Sequence, residues 1–251
     1  INVINANSSL YNRYIFFRDK FFSLEAETKA KDKWNFVRLK LADGSEITTG
    51  NNPAYHLRRE AEWIAQAAID AFFSWTEHVF IHIAAIQGRI CTGDEVAALA
   101  ESDWKTKFKT ALDLTDIETK CHYDTLLDLR VQIRNFMAHG AFGKRGEAFR
   151  FHSDAGAVPV LLSQSKHHKY AMTAKLSFDE STAIKQIETF IEHLWSGCRA
   201  PAKTYIFSDL PMILTYTIDG TYAQAMQSEQ DMAEFVEHMT RKFDNAANMD
   251  W

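Results

Sequence analysis

Between residues 54 and 86, apolar side chains recur every three or four positions. Leu57, Trp63, Ile64, Ala67, Ala68, Ala71, Phe72, Trp75, Val79, Phe80 and Ile83 carry the pattern, with no glycine and only Pro53 ahead of it. At 100° per residue that spacing gathers them on one broad helical face. The run predicts a helix of roughly thirty residues, against an ordinary length of ~11–12, and such helices form the spine of a bundle. Further periodic runs predict helices over about 10–31, from Thr92 to about Leu112, from Asp116 to Gly140, from Ser177 to Gly197, and from about Ser228 to Phe243. Asn52 and Pro53 have the order of an N-cap and a first-turn proline, and Ser177 with Glu180 has the spacing of a capping box.

Period-two alternation takes over in short stretches. Residues 35–41, an Asp43-Gly44 turn and residues 46–49 predict a β-hairpin. Residues 148–152 and 158–162 read as a second pair of strands, and Ile213 to Ile218 as strand-like before an Asp219-Gly220 turn. No internal repeat is visible. The fold class is therefore mainly α, an up-and-down helical bundle with small β-hairpin additions. Three stretches follow: an N-terminal helix and hairpin extension over 1–53, a bundle over 54–200 with a β insertion near 148–162, and a C-terminal extension over 201–251 packed on the bundle.

Ten Gly and four Pro against 18 Phe and six Trp in 251 residues suit a helix-rich chain with bulky anchors and disfavour a turn-rich all-β fold. The 28 Lys and Arg against 33 Asp and Glu give a net charge of −5. Nucleic-acid contact must then rest on a local basic patch. Three dispersed cysteines without a CxxC pair fit a reducing compartment. The longest apolar stretch, about 75–86, is broken by Glu77, His78 and His82, too polar for a bilayer span. The first 22 residues lack the pattern of a signal peptide. The expectation is a cytoplasmic protein without a membrane partner, and a chain opening on Ile1 rather than Met is expected to have lost its start.

The chemistry concentrates where the third bundle helix stops, at Arg130-Val131-Gln132-Ile133-Arg134-Asn135-Phe136-Met137-Ala138-His139-Gly140. Asn135 and His139 are four apart and share a helical face, and the long Arg134 side chain can sweep toward it. In the last turn the helix dipole favours a protonated His139, while a neighbouring guanidinium pushes the other way, so the imidazole is poised for acid–base work near neutrality. Arg134 offers a planar fork for phosphate oxygens, and Asn135 a neutral donor and acceptor that can orient either partner. Arg130, Arg134, Lys144, Arg145 and Arg150 make a basic stretch opposed only by Glu147, with Arg130, Lys144, Arg145 and Arg150 as candidate RNA contacts.

This segment resembles the HEPN superfamily, whose mark is Arg, four to six residues, then His at the end of an apolar helix, often with Asn straight after the Arg. Arg134-Asn135-Phe136-Met137-Ala138-His139 has that form, and the resemblance spans about 54–197. It implies a HEPN-like bundle and a metal-independent endoribonuclease, with Arg134, Asn135 and His139 of two subunits meeting at the composite site of a homodimer. A toxin–antitoxin or abortive-infection setting, with an antitoxin or other protein partner, is implied in the same way. The alternative is a non-catalytic HEPN-like module binding nucleotide, RNA or a partner protein. Neither reading needs a cofactor or metal. A second Arg-to-His match, with six intervening residues, runs from Arg145 to His152 across Gly146 and a predicted strand, so the helical context carries the resemblance.

Other candidates are weaker. His78 and His82 have a zinc-type spacing but no third ligand at a matching position, so no metal is assigned there. Glu77, His78 and His82 are instead expected to face the cleft opposite Arg134, with Glu77 orienting Arg134 or His139. Cys121 and His122 diverge by ~100° on a helix and cannot form a dyad. His167-His168 reads as a surface loop.

Overall fold

A 33-residue helix, α2 (Ala54–Ile86), forms the axis around which the other elements pack. At 1.5 Å per residue it is roughly 50 Å long. The computed structural model describes residues 2–41, 44–139, 148–153, 156–161 and 179–248, of which 135–139, 148–153 and 156–161 are described by their backbone.

Before α2 come β1 (Asn2–Val3), α1 (Asn7–Lys31) and a hairpin of β2 (Asn35–Lys40) and β3 (Glu46–Asn51). After it come α3 (Gly93–Glu101), α4 (Trp104–Ala111), α5 (Ile117–His139), the β4 (Ala148–Ser153) and β5 (Gly156–Leu161) pair, and α6 (Glu180–Leu194). A 3-10 turn (Gly197–Arg199) leads into α7 (Ala200–Ile206), β6 (Met212–Ile213), α8 (Leu214–Ile218), α9 (Thr221–Ala225) and α10 (Glu229–Ala247). The protein is mainly α with small antiparallel two-stranded pairs, β1 with β6, β2 with β3 and β4 with β5.

Helix α1 runs antiparallel to α2: Tyr11 meets Trp75, Tyr14 meets Phe72, and Lys20 reaches Glu60. Small residues at Ala61, Ala65 and Ala68 bring the two backbones close. Other faces of α2 take α4 and α6. Phe80 packs edge-on to Phe108 with centroids 5.2 Å apart, and Phe72 to Phe190 at 6.0 Å. One buried cluster runs from Tyr14 to Met239, so all three stretches distinguished in the sequence contribute to the same core. Two of its indoles are hydrogen-bonded across elements. The Trp75 indole N–H donates to Asn7 Oδ1 at 2.7 Å, and the Trp104 indole N–H to Thr76 Oγ1 at 2.9 Å. Among the described residues no helix is long and apolar enough to cross a membrane, and Cys91, Cys121 and Cys198 are free thiols.

Several boundaries differ from the sequence expectation. The helix expected from Thr92 to Leu112 is two helices. Ser102 ends α3, and Asp103, extended at ψ 162°, accepts the Thr106 N–H at 2.8 Å and starts α4 at a new angle. Helix α6 is capped by Asp179, whose carboxylate takes the Thr182 N–H at 2.8 Å, and Glu180 is its first residue; Ser177 lies outside the described residues. Of the strand-like 213–218 stretch only Ile213 pairs as strand, together with Met212 before it, against β1, and Leu214–Ile218 turns helical. Helix α2 begins after Pro53, with Asn52 Oδ1 accepting the Ala54 N–H at 3.0 Å. His167 and His168 also lie outside the described residues.

Two consequences can be measured. Trp75→Phe removes the Trp75 donor to the buried Asn7 carbonyl oxygen and leaves a void, and a loss of about 2–4 kcal/mol is expected in urea unfolding. The second concerns His82, which is 1% exposed, with neither ring nitrogen hydrogen-bonded to a described residue. Burial, and to a lesser extent the neighbouring His78, lowers its pKa to about 3. The unfolded chain protonates this ring below ~6.5, so His82 contributes stability above that pH and withdraws it as pH falls toward 3. At pH 5 the cost is about 2 kcal/mol, or 1.5 units at ~1.36 kcal/mol each. Thermal melts of wild type and His82→Leu at pH 7.5 and 5 are expected to show the smaller drop in the variant.

Candidate phosphate-binding cleft between α2 and α5

Helix α5 touches the core through a narrow stripe, Tyr123, Leu126, Leu129 and Ile133, at the three- and four-residue steps of a helix. Its start is fixed by Asp116, whose Oδ2 accepts the Thr119 N–H at 2.9 Å. From there it continues unbroken to His139. Beside the stripe, its Arg130 and Arg134 face α2 across an open cavity of about 530 Å³, completed by Asp70, Phe73, Ser74, Glu77 and Ile133.

Glu77 organises one wall. Its Oε1 accepts from Arg130 Nη2 at 2.7 Å and its Oε2 from Lys107 Nζ at 3.0 Å. The Lys107 side chain, on α4, is only 5% exposed. An ammonium so removed from water needs an anion beside it, and Glu77 is that anion. The Arg130 guanidinium also lies 5.8 Å from the Phe73 and Trp104 ring centres, a cation held between two π faces. A guanidinium has five N–H donors, and the Glu77 bond occupies one of them. Arg134, one turn further on, is exposed and forms no ion pair with a described residue. With Asp70 also on the rim, the cavity combines two carboxylates with two guanidiniums and the Lys107 ammonium behind them.

The residues singled out in the sequence fall as follows. Arg134, Arg130 and Glu77 come together at this cavity. Glu77 binds Arg130, not the Arg134 that the sequence suggested, and the other expected partner, the His139 side chain, lies outside the described set. Asn135 and His139 belong to the last two turns of α5, with His139 its final residue; their side chains lie outside the described set. Lys144 and Arg145 lie outside the described residues, and Arg150 is described only as a backbone position of β4. His78 and His82 do not face the cleft. His78 Nε2 accepts the Ala6 N–H at 3.0 Å ahead of α1, and His82 is buried beside it at 4.3 Å between ring centres. They are one and five residues beyond Glu77, and the step of ~100° turns His78 onto another side of α2. Sequence reasoning missed Lys107, which reads there as one of several lysines on an amphipathic helix.

Another cavity, about 340 Å³ between α1, α2 and α6, is lined by Glu25, Asp32, Glu62, Asp179 and Glu180 against Lys29 and Arg58. That excess of carboxylates repels an anion, whereas the α2–α5 cleft sets two guanidiniums beside its two carboxylates.

Glu77→Ala is expected to cost about 2–3 kcal/mol, less than the ~3–5 of a wholly buried pair because Glu77 is partly in water. Glu77→Gln with Lys107→Met, which removes both charges, is expected to recover most of it in urea unfolding. Compared with protein-family models, curated proteins and solved structures, the chain matches none.

Proposed function

We propose that the α2–α5 cleft binds the RNA backbone and that the chain is a HEPN-type endoribonuclease working as a homodimer. One observation carries the reading: Arg130 and Arg134 line the same open cavity on a helix that runs without a break to His139. Two guanidiniums one turn apart are spaced for neighbouring oxygens of a phosphodiester. Arg130 is held by Glu77 and two aromatic rings, so it acts as a fixed anchor, and the exposed Arg134 closes on the scissile phosphate.

The reaction suited to these groups is transfer within the RNA. The ribose 2′-oxygen attacks phosphorus, the bond from phosphorus to the 5′-oxygen breaks, and a cyclic phosphate and a free 5′-hydroxyl result. The 2′-hydroxyl proton passes to a base, and the leaving oxygen takes one from an acid. His139 fills one of these roles and its symmetry mate the other, with Asn135 orienting the imidazole. Arg134 stabilises the charge gathering on the phosphoryl oxygens. No resident metal is required for these steps. An infection-defence or toxin role, with a neutralising protein partner, belongs to the same reading.

A second reading is favoured by the Glu77 contacts. Arg130 is already ion-paired, and Asp70 adds negative charge, so the cleft is less positive than a nuclease groove built of unpaired cations. On that reading the same dimer binds nucleotide, RNA or a protein without turnover.

Incubation with single-stranded and transfer RNA in chelator tests both. Cleavage is expected in wild type, with His139→Ala slower by about 10²–10⁴-fold, the usual contribution of general acid–base catalysis. Arg134→Ala is expected to weaken binding and turnover together. RNA binding without cleavage selects the second reading, and equal degradation by wild type and both variants refutes the site.

A further inference from the structure

At the opposite end of α5, away from the cleft, three side chains converge that the ribonuclease reading does not use. Glu118 and His122 lie one turn apart at the start of α5, and His193 stands at the end of α6. Their ligand-type atoms all lie within 4.8 Å of one another. Arg134 is twelve residues beyond His122, roughly 18 Å along the helix.

The hydrogen bonds around His193 decide which of its nitrogens is bare. Thr119 Oγ1 donates its single proton to Asp116 Oδ2 at 2.6 Å, and the same oxygen is 2.8 Å from His193 Nε2. With that proton committed, Nε2 must donate its own N–H to Thr119. Arg199 approaches Nε2 at 3.4 Å, but its stronger bonds go to the carbonyls of His193 at 2.8 Å and Leu194 at 3.0 Å. Nδ1 therefore carries the lone pair, and it points at Glu118 Oε1, 3.6 Å away. Two acceptors face one another with no proton between them. A tetrahedral ion with bonds of about 2.0–2.1 Å holds its donors about 3.3 Å apart, close to this separation.

We propose that Glu118, His122 and His193 form a binding site for a zinc-type divalent transition-metal ion. Two imidazole nitrogens and one carboxylate suit zinc and its neighbours over calcium or magnesium, which take oxygen ligands. The Asp116–Thr119–His193 chain is the outer support that such ligands need: it fixes the tautomer and the ring. Burial, then Arg199, holds the His193 pKa below its usual value, and burial, then His193, does the same for His122. Glu118 is exposed and can close on the ion, leaving a fourth position to water. None of the cavities described above includes these residues, so the ion's role is to tie the start of α5 to the end of α6.

Metal-free protein titrated with Zn²⁺ by calorimetry, and with Co²⁺ followed by visible absorption, tests this. One equivalent per chain, a four-coordinate cobalt spectrum and a higher Tm with Zn²⁺ are expected. Glu118→Gln, at an exposed position, and His122→Asn, at a half-buried one beside Phe190, are expected to keep the metal-free fold by circular dichroism while weakening binding at least tenfold. Absence of stoichiometric binding to wild type, or binding unchanged in both variants, overturns the proposal.

Discussion

The burial of α2 on several sides is the constraint from which the rest follows. From Ala71 to Ile86 the helix carries Phe72, Phe73, Trp75, Val79, Phe80 and Ile83 toward different neighbours, and a single carboxylate, Glu77, interrupts them. A carboxylate in such a setting must be matched by cations brought to it. Lys107 comes from α4 and Arg130 from α5, so one anion fixes how two further helices sit against the spine. The aromatic contacts reinforce this placement, because Trp104 of α4 is both a core ring and one of the two faces that hold Arg130. Core packing and the polar cleft are thus consequences of the same arrangement.

Much of the fold was legible because helix periodicity is a local property. The bounds of α2 and the two longer hairpins follow from spacing and turn residues, and they emerge close to where the pattern places them. The errors arose where a single polar residue outweighs the surrounding pattern. Asp103 splits an apolar run that would otherwise continue, since an aspartate can cap a helix as readily as it can face water within one. The change from strand to helix after Ile213 is tertiary: β1 offers two residues to pair with, and the chain leaves the strand when that partner ends.

The cleft was legible in part. Arg130 and Arg134 share a helical row in the sequence, and one row on one helix is local information. That Glu77 answers Arg130 rather than Arg134, and that Lys107 stands behind it, depends on how three helices cross. Spacing within each helix does not fix that. The Glu118, His122 and His193 cluster has the same character. A carboxylate and an imidazole at i and i+4 can be read from the sequence, but the third group lies seventy-one residues beyond His122. The Thr119 hydroxyl that sets its tautomer has no sequence signature apart from its place after a helix cap.

Helix α5 makes the connection between these sites physical. A thin apolar stripe binds it to the core, so its position depends heavily on polar contacts at its start and middle. The start of the helix gathers Asp116 and Glu118, where the helix dipole favours negative charge, and Arg130 and Arg134 follow in its second half. Two points along it are then anchored to different partners: the start to α6 through the Thr119–His193 hydrogen bond, the middle to α2 through Glu77. A helix gripped at separate points tilts when either grip loosens, and a tilt moves its far end more than its middle. The placement of His139, at that far end, is consequently set by contacts several turns away from it. The Glu77 bond lies between the two termini and is the fulcrum of that lever, which couples the packing of the spine to whatever the last turn of α5 holds.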